Sequence, residues 1–256
     1  VEGNHILNKT SRTKNKFSAE PSVNYSNLLD YQYNVNRFPR LNLGFNIEDG
    51  FFVGIGFLRR TYGFRNDPYA TEQRLTTLYA LSRKAYQVKY RGEFNHFYGD
   101  NDLLIRADYI NPTLNNFFGL GNETKIDPSL PLRYYRTRYK YAEGEILFRR
   151  RYHQRLHFMA GPTISHYWIR PSDNEGRILE KPQLINLDST DVYSKKTYLG
   201  AKLAVSFDNL NNELYPSRGI QWNNEFTWQT NISNTGHPIS KVQSDMSIYA
   251  SLARAT

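Results

Sequence analysis

Hydrophobic and polar residues alternate strictly along residues 86–94. Tyr86, Val88 and Tyr90 fall on one side of an extended chain, while Lys89 and Arg91 fall on the other. This period of two predicts a β-strand with one apolar face and one charged face. The same pattern recurs along nearly the whole chain, and no segment carries a helical period long enough to compete with it. The sequence therefore predicts an all-β fold built from antiparallel strands.

About ten such segments follow one another, separated by turns. Asp49-Gly50 is a dipeptide typical of tight hairpin turns and lies between the first two. A slip in the alternation near Tyr141 and Ala142 predicts a β-bulge. The predicted strands lie close to residues 41–47, 51–57, 74–81, 86–94, 103–109, 135–141, 156–168, 199–207, 220–228 and 242–252.

The lengths of the connections favour a membrane-spanning β-barrel. If the strands run up and down, the long loops 112–132, 170–196 and 231–240 all fall at one end of the sheet, and shorter connections fall at the other. Outer-membrane barrels have short turns on one rim and long loops on the opposite rim. We therefore predict an antiparallel transmembrane β-barrel whose long loops face outward.

Composition is compatible with this prediction. The mean hydropathy is -0.68, and no run approaches the roughly 20 apolar residues that a spanning helix needs. A transmembrane barrel keeps a low average hydropathy because only every second residue of a strand meets lipid. The 20 tyrosines, 15 phenylalanines and 3 tryptophans suit the aromatic girdles of a barrel. A soluble glycan-binding β-protein also uses many tyrosines, so composition alone leaves that alternative open.

Charge is confined to one face of the predicted strands. A Lys or Arg on a lipid-exposed face costs about 2–4 kcal/mol near the bilayer midplane, so we expect the charged face to line a hydrated lumen. We interpret its charges as neutralising one another rather than as a substrate path. The charges that we expect in the lumen are Arg91, Glu93, Arg106, Asp108, Arg136 and Arg138.

The formal net charge of +9 points to an anionic partner. The basic residues do not form a compact cluster with stacking aromatics, so we expect an anionic lipid surface and not a nucleic acid. The chain has no cysteine, which excludes disulfides, thiolate metal sites and a cysteine nucleophile. Its six histidines are scattered, and no nucleophile, base and acid fall together. We predict no catalytic residue, no metal site and no cofactor.

A short turn between two of the predicted strands carries a recognisable motif. In it, Pro216 fixes φ, Gly219 permits a tight entry into the next strand, and Asp208 and Asn209 can hold backbone donors. The segment resembles the D-x-x-x-N-x-x-x-P-x-x-G turn of the BamA and TamA superfamily, also called bacterial surface antigen barrels. The motif residues are Asp208, Asn209, Tyr215, Pro216, Arg218 and Gly219.

A second segment, in the first long loop, is similar to the F-G-x-G-N-E/T element of the same superfamily and of its Bacteroidetes members in particular. The resemblance covers residues 41–252 and implies a sixteen-stranded barrel, of which this chain holds about ten strands and lacks the C-terminal ones. The V-R-G-F loop motif of that superfamily is absent. The residues of the second segment are Phe118, Gly119, Gly121, Asn122 and Glu123.

The resemblance also implies a location and a role. We expect residues 1–38 to be a polar arm or interdomain linker and residues 39–256 to be the barrel, in the outer membrane of a Gram-negative bacterium. Its partners would be outer-membrane lipid and lipopolysaccharide, and client outer-membrane proteins or other envelope subunits, in outer-membrane protein biogenesis. An alternative is that the barrel anchors a metallophosphoesterase domain encoded upstream, which Bacteroidetes relatives often carry.

Overall fold

The structure is a computed structural model, and it describes most of the chain after the N-terminal arm. The described residues are 33–251 with the exception of 64, 65, 67, 83, 84, 122, 123, 125, 153, 154, 213, 234 and 235. From Asn34 onward the chain forms one compact unit. Of the expected arm, residues 1–38, the first 32 residues lie outside the described residues.

Ten β-strands form a single antiparallel sheet in which each strand pairs with its neighbours in sequence. The all-β antiparallel prediction is therefore confirmed. Within the described residues, β1 pairs only with β2 and β10 only with β9, so the sheet is open. The strands are β1 Val35–Asn46, β2 Gly50–Thr61, β3 Thr71–Ala80, β4 Tyr86–Tyr98, β5 Asn101–Asn116, β6 Arg136–Tyr152, β7 Leu156–Trp168, β8 Lys196–Asp208, β9 Gly219–Asn231 and β10 Ile239–Tyr249.

The two longest connections, β5–β6 and β7–β8, lie at the same end of the sheet, which we name the long-loop rim. The opposite end, the short-turn rim, has connections of ten residues or fewer. Across the described residues, no helix is long and apolar enough to cross a membrane. The helical elements are the 3-10 turns Leu132–Tyr135, Pro171–Asp173, Ile178–Glu180 and Pro182–Ile185 and the helix α1 Ser189–Tyr193.

β1 and β5 extend well beyond their predicted ends, and each contains a β-bulge that interrupts the alternation. β1 begins at Val35, inside the expected arm, and its register with β2 shifts between Arg37 and Arg40. β5 continues past Pro112, which we expected to open a loop, and the register with β6 shifts between Ile110 and Thr113. A proline without an N–H is tolerated at such a bulge.

β6 was predicted to end at residue 141 but continues to Tyr152. The bulge predicted in this strand at Tyr141 and Ala142 is wrong. The extra residue lies in the neighbouring strand β5, opposite this part of β6.

The sheet is strongly curled. Glu48, in the β1–β2 turn, and Arg136, at the start of β6, approach to 2.7 Å between side-chain atoms. In a flat sheet, β2 and β6 would lie about 19 Å apart, since neighbouring strands are about 4.8 Å apart. A pocket is shared by side chains of β4 and β10, which would be about 29 Å apart in a flat sheet. The face that carries this pocket, the inner face, is therefore concave.

Between the two rims, the opposite, outer face is apolar and uncovered by any described residue. In β8, the residues at positions 197, 199, 201, 203, 205 and 207 share this face and none is charged. From residue 197 to residue 207 the strand advances ten residues, each by about 3.3 Å. At a tilt of about 45° to the membrane normal this covers about 23 Å of membrane thickness, close to the height of about 25 Å of an apolar membrane band. Large exposed side chains on this face include Leu43, Val53, Ile164, Leu203, Phe226, Trp228 and Val242.

Charged residues of the described strands occupy outer-face positions only near the strand ends. Arg59 and Arg150 lie two residues from the ends of β2 and β6 at the short-turn rim. Arg136, Arg138 and Lys140 lie in the first five residues of β6 at the long-loop rim. The middle of the outer face is thus free of charge, as contact with hydrocarbon would require.

Candidate functional site

Four of the six expected lumen charges lie on the inner face. Arg91 of β4 and Asp108 of β5 form a two-pronged ion pair, with both N–O distances 2.7 Å. Arg106, in the same strand as Asp108, lies 2.9 Å from the carboxylate of Glu145. The register places Arg106 directly opposite Glu145 and Arg91 diagonally opposite Asp108. Each arginine thus has a carboxylate of the neighbouring strand within reach.

The row continues beyond the residues that the sequence singled out. Lys202 of β8 lies 2.8 Å from Glu145 and 3.3 Å from Glu225 of β9. Glu145 therefore forms ion pairs with two cations, Arg106 and Lys202, and a chain of alternating charges crosses β5 to β9. Sequence reasoning missed Glu145 and Lys202, although both lie on the charged side of an alternating segment. What the sequence does not reveal is the register that brings them to Arg106.

Glu93 belongs to a second inner-face network, near the short-turn rim. The guanidinium of Arg149 reaches both Glu93 and Asp102, the latter at 2.9 Å. Arg151 also contacts Asp102 at 2.9 Å, and Asn95 accepts a hydrogen bond from Arg149 at 3.0 Å. Since two arginines face two largely buried carboxylates, this network is close to neutral and fills the inner face with paired charge.

Tyr69, in the loop between β2 and β3, closes this network from the side. Its hydroxyl donates to Glu93 at 2.8 Å, and the side-chain amide of Asn95 donates to its carbonyl at 2.7 Å. Burial raises the pKa of Tyr69, and its neighbour Glu93 raises it further by accepting the phenol proton in a hydrogen bond. Two hydrogen bonds of Tyr69 thus anchor the loop to β4, and the raised pKa keeps the donating hydroxyl protonated.

The structure separates Arg136 and Arg138 from the inner-face row. The alternation of β6 places them out of phase with Glu143 and Glu145, because no residue is inserted in β6 between them. They lie instead at the long-loop rim, where Arg138 pairs with Asp49 of the β1–β2 turn. We name this group, with Glu48, Arg136 and Arg177, the rim cluster.

Glu48 is the centre of the rim cluster. Its two carboxylate oxygens contact Arg136 at 2.7 Å and Arg177, of the β7–β8 loop, at 3.0 Å. Burial acts to raise the pKa of Glu48, but the hydrogen bonds and positive charges of these arginines outweigh burial and lower it. Arg177 also donates to the carbonyl of Arg136 at 2.6 Å. One carboxylate therefore holds three parts of the chain together.

Asn174 joins the β7–β8 loop to the part of β6 that has no partner strand on the β7 side. Its side-chain oxygen accepts from the backbone N–H of Arg138, and its amide donates to the carbonyl of the same residue, both at 2.8 Å. The side chain thus replaces a neighbouring strand where β7 has already ended. Around Tyr135, Ile178 and Leu179 the two long loops share a hydrophobic cluster, and we name the resulting structure the loop cap.

The expected motif turn connects β8 to β9. Asp208 accepts from the backbone N–H of Leu210 at 3.0 Å, as predicted for a residue that holds backbone donors. Asn211, which sequence reasoning missed, accepts from the N–H groups of Ser217 and Arg218 at 3.0 and 2.9 Å. Gly219 has φ +135°, and a Cβ there would lie 2.2 Å from the carbonyl oxygen of Asn209.

The other members of this turn have different surroundings. Asn209 contributes its backbone, whose N–H donates to Ile220 at 2.9 Å. Tyr215 is exposed at the tip of the turn, and Pro216 precedes the Ser217-Arg218 pair whose N–H groups Asn211 holds. The turn is therefore closed by its own hydrogen bonds, and its aromatic tip projects from the short-turn rim.

The second motif segment contributes to the loop cap. The ring of Phe118 lies 5.4 Å from that of Tyr135, centre to centre, and Gly119 and Gly121 both have positive φ. Asn122 and Glu123 lie outside the described residues. The described part of this motif thus has a packing role.

The inner-face row borders a pocket of about 510 Å³. Tyr167 of β7 lies against it, and its hydroxyl donates to Glu143. Side chains of seven consecutive strands, β4 to β10, line the pocket. The lining side chains that carry charge are Arg91, Arg106, Asp108, Glu143, Glu145, Lys196, Lys202 and Lys241.

No group of three or more His, Cys, Asp or Glu side chains that could hold a metal ion occurs in the described part of the chain. In comparison with known proteins, no protein-family model and no curated protein matches this chain. The function must therefore be argued from the sheet, its two faces and its rims.

Proposed function

We propose that the chain forms the lipid-facing wall of an outer-membrane β-barrel. The observation that carries this proposal is the contrast between the two faces of one sheet. The outer face exposes large apolar side chains and has charges only near the strand ends, while the inner face carries paired charges. In water, an apolar surface that crosses ten strands would drive association, whereas a bilayer would cover it.

The resemblance to BamA- and TamA-like surface antigen barrels supports a more specific role. The Asp208 turn and the Phe118 loop both carry residue patterns of that superfamily. We propose that the protein takes part in outer-membrane protein biogenesis or serves as a subunit of an envelope complex. Its partners would then be outer-membrane lipid, lipopolysaccharide and a client or envelope protein.

The contrast between the faces is tested by placing the same charge on each side of one strand. Val242 and Gln243 are neighbours in β10 and both are exposed. Val242 is 75% exposed and pairs with Phe226 on the outer face, while Gln243 pairs with Glu225 on the inner face. We expect Val242→Arg to lower stability in phospholipid vesicles by about 2–4 kcal/mol and Gln243→Arg to have little effect.

Membrane insertion itself is checked by fractionating cells that produce the protein. We expect recovery in the outer-membrane fraction, extraction only by detergent, and a shift in gel mobility on heating. Recovery in the soluble fraction, or equal effects of the two arginine substitutions, would contradict the proposal. Depletion of the protein then tests the role in biogenesis, because the amounts of other outer-membrane proteins should fall.

A further inference from the structure

The inner-face pocket has the size and the lining of a small-molecule site. Its volume of about 510 Å³ lies within the roughly 300–1,000 Å³ of known ligand pockets. Most such pockets are largely apolar, but this one is lined by charged, hydroxyl and amide groups. A ligand that fits it must therefore be polar over most of its surface.

The carboxylates of the pocket already have partners. Asp108 is bound by both arms of Arg91, and Glu145 lies between Arg106 and Lys202. Glu143 accepts the hydroxyl proton of Tyr167. A cationic ligand would have to displace one of these partners, so the pocket disfavours positive charge.

Positive charge remains available in the same pocket. Five basic and three acidic side chains line it, and Glu225, just outside the lining, also pairs with Lys202 at 3.3 Å. Lys196 is held by Asp191 of the long loop at 2.9 Å. Lys241 of β10 contacts no carboxylate or other hydrogen-bond acceptor among the described residues. Its ammonium group, with three N–H donors, is thus free to bind an anion.

A buried hydroxyl group adds a neutral donor. The side-chain amide of Gln229 donates to the hydroxyl oxygens of Thr163 and Ser165, at 3.0 and 3.1 Å. Thr163 and Ser165 are 6% and 5% exposed. Ser165 is also hydrogen-bonded to the side chain of Tyr167. The hydroxyl oxygen of Thr163 acts as an acceptor here, so its own proton remains to be donated to an oxygen acceptor of a ligand.

We propose that this pocket binds a small polyhydroxylated anion of the sugar phosphate class. Lys241 binds the anionic group, and Thr163 donates to a hydroxyl oxygen of the ligand. The site requires a water-filled inner face and so rests on the proposed membrane arrangement.

The proposal is tested with the detergent-purified full chain and three probes: glucose 6-phosphate, glucose and inorganic phosphate. Saturation-transfer NMR or calorimetry measures binding of each. We expect glucose 6-phosphate to bind at least several times more tightly than either other probe. Lys241→Gln should weaken its binding by about 1.5- to fivefold, the range expected for one exposed ion pair. Thr163→Val should weaken binding of the phosphorylated sugar but not of inorganic phosphate.

Lys195→Gln is the matched control, because it removes the same charge from an exposed lysine of the β7–β8 loop that does not line the pocket. It should leave all three affinities unchanged. The proposal is overturned if wild-type protein binds glucose 6-phosphate no better than glucose, or if the two glutamine variants behave alike. Heat-shifted gel mobility of the same samples shows whether the barrel is folded, so failure of the pocket is distinguished from failure of the membrane arrangement.

Discussion

The guanidinium of Arg138 in β6 contacts the carboxylate of Asp49 in the β1–β2 turn, and the two side chains are 7% and 4% exposed. Three strands, β3 to β5, lie between β2 and β6 in the sheet. A buried pair of this kind contributes little compared with a hydrophobic pair, but loss of one partner leaves an unpaired buried charge. The pair thus makes the first hairpin dependent on β6.

Removal of the carboxylate should therefore be costly. We expect Asp49→Ala to lower the free energy of unfolding by about 3–5 kcal/mol, as measured by urea titration in phospholipid vesicles with tryptophan fluorescence. Glu175→Ala, which removes an exposed carboxylate from the β7–β8 loop, should change it by less than about 0.5 kcal/mol. If both substitutions lowered the free energy of unfolding equally, Arg138 would not depend on the carboxylate of Asp49.

Exposure decides how strongly an ion pair couples, and the structure offers two pairs for comparison. Arg91 and Asp108 are 41% and 21% exposed at their side chains. A double-mutant cycle with alanine at both positions should yield a coupling energy of about 0.2–1 kcal/mol. The cycle at Arg138 and Asp49 should yield a clearly larger value. A larger coupling at Arg91 than at Arg138 would contradict the burial described here.

Glu48 should make the rim cluster sensitive to acid. Its pKa is lowered in the folded state, so the unfolded chain binds the proton more tightly. The stability that Glu48 contributes is then present above the ordinary glutamate pKa of 4.5 and is lost as the pH falls through the lower, folded-state pKa. Unfolding measured from pH 6 to pH 3 should show a steeper decline for the wild type than for Glu48→Gln.

Gly219 and Gly121 form a matched pair for the effect of a methyl group at positive φ. At Gly219 the methyl would collide with the carbonyl of Asn209, whereas at Gly121 no described residue lies within 4 Å of it. Gly121→Ala should cost about 1 kcal/mol from backbone strain alone, and Gly219→Ala about 3 kcal/mol or more. Thermal unfolding of both variants checks this order, and a reversed order would contradict the geometry of the β8–β9 turn.

The alternation of side chains allowed the strands to be predicted well. The predicted strand 156–168 coincides with β7, because apolar residues occupy most positions of one face along its whole length. β1 was predicted to begin at residue 41 because its bulge near Pro39 breaks the period. The extension of β5 past Pro112 was missed for the same reason. Bulges depend on the partner strand, which a period within one segment does not contain.

The candidate site was less predictable than the sheet. The charged side of each strand could be read from the sequence, and Arg91 and Asp108 do meet. The rim cluster could not, because it joins the β1–β2 turn, β6 and the β7–β8 loop, which are far apart in sequence. The position of Arg136 and Arg138 at the rim depends on the unbroken alternation of β6, whereas a bulge had been expected in that strand.

The loop cap is a composite of two chain segments, since Asn174 and Arg177 of one loop bind β6 and the cluster around Tyr135 belongs to both. An antibody that recognises its surface would read a discontinuous epitope. A synthetic peptide copied from either segment alone would lack the other half of the fold, and serum raised against it would be a poor reagent for the intact protein.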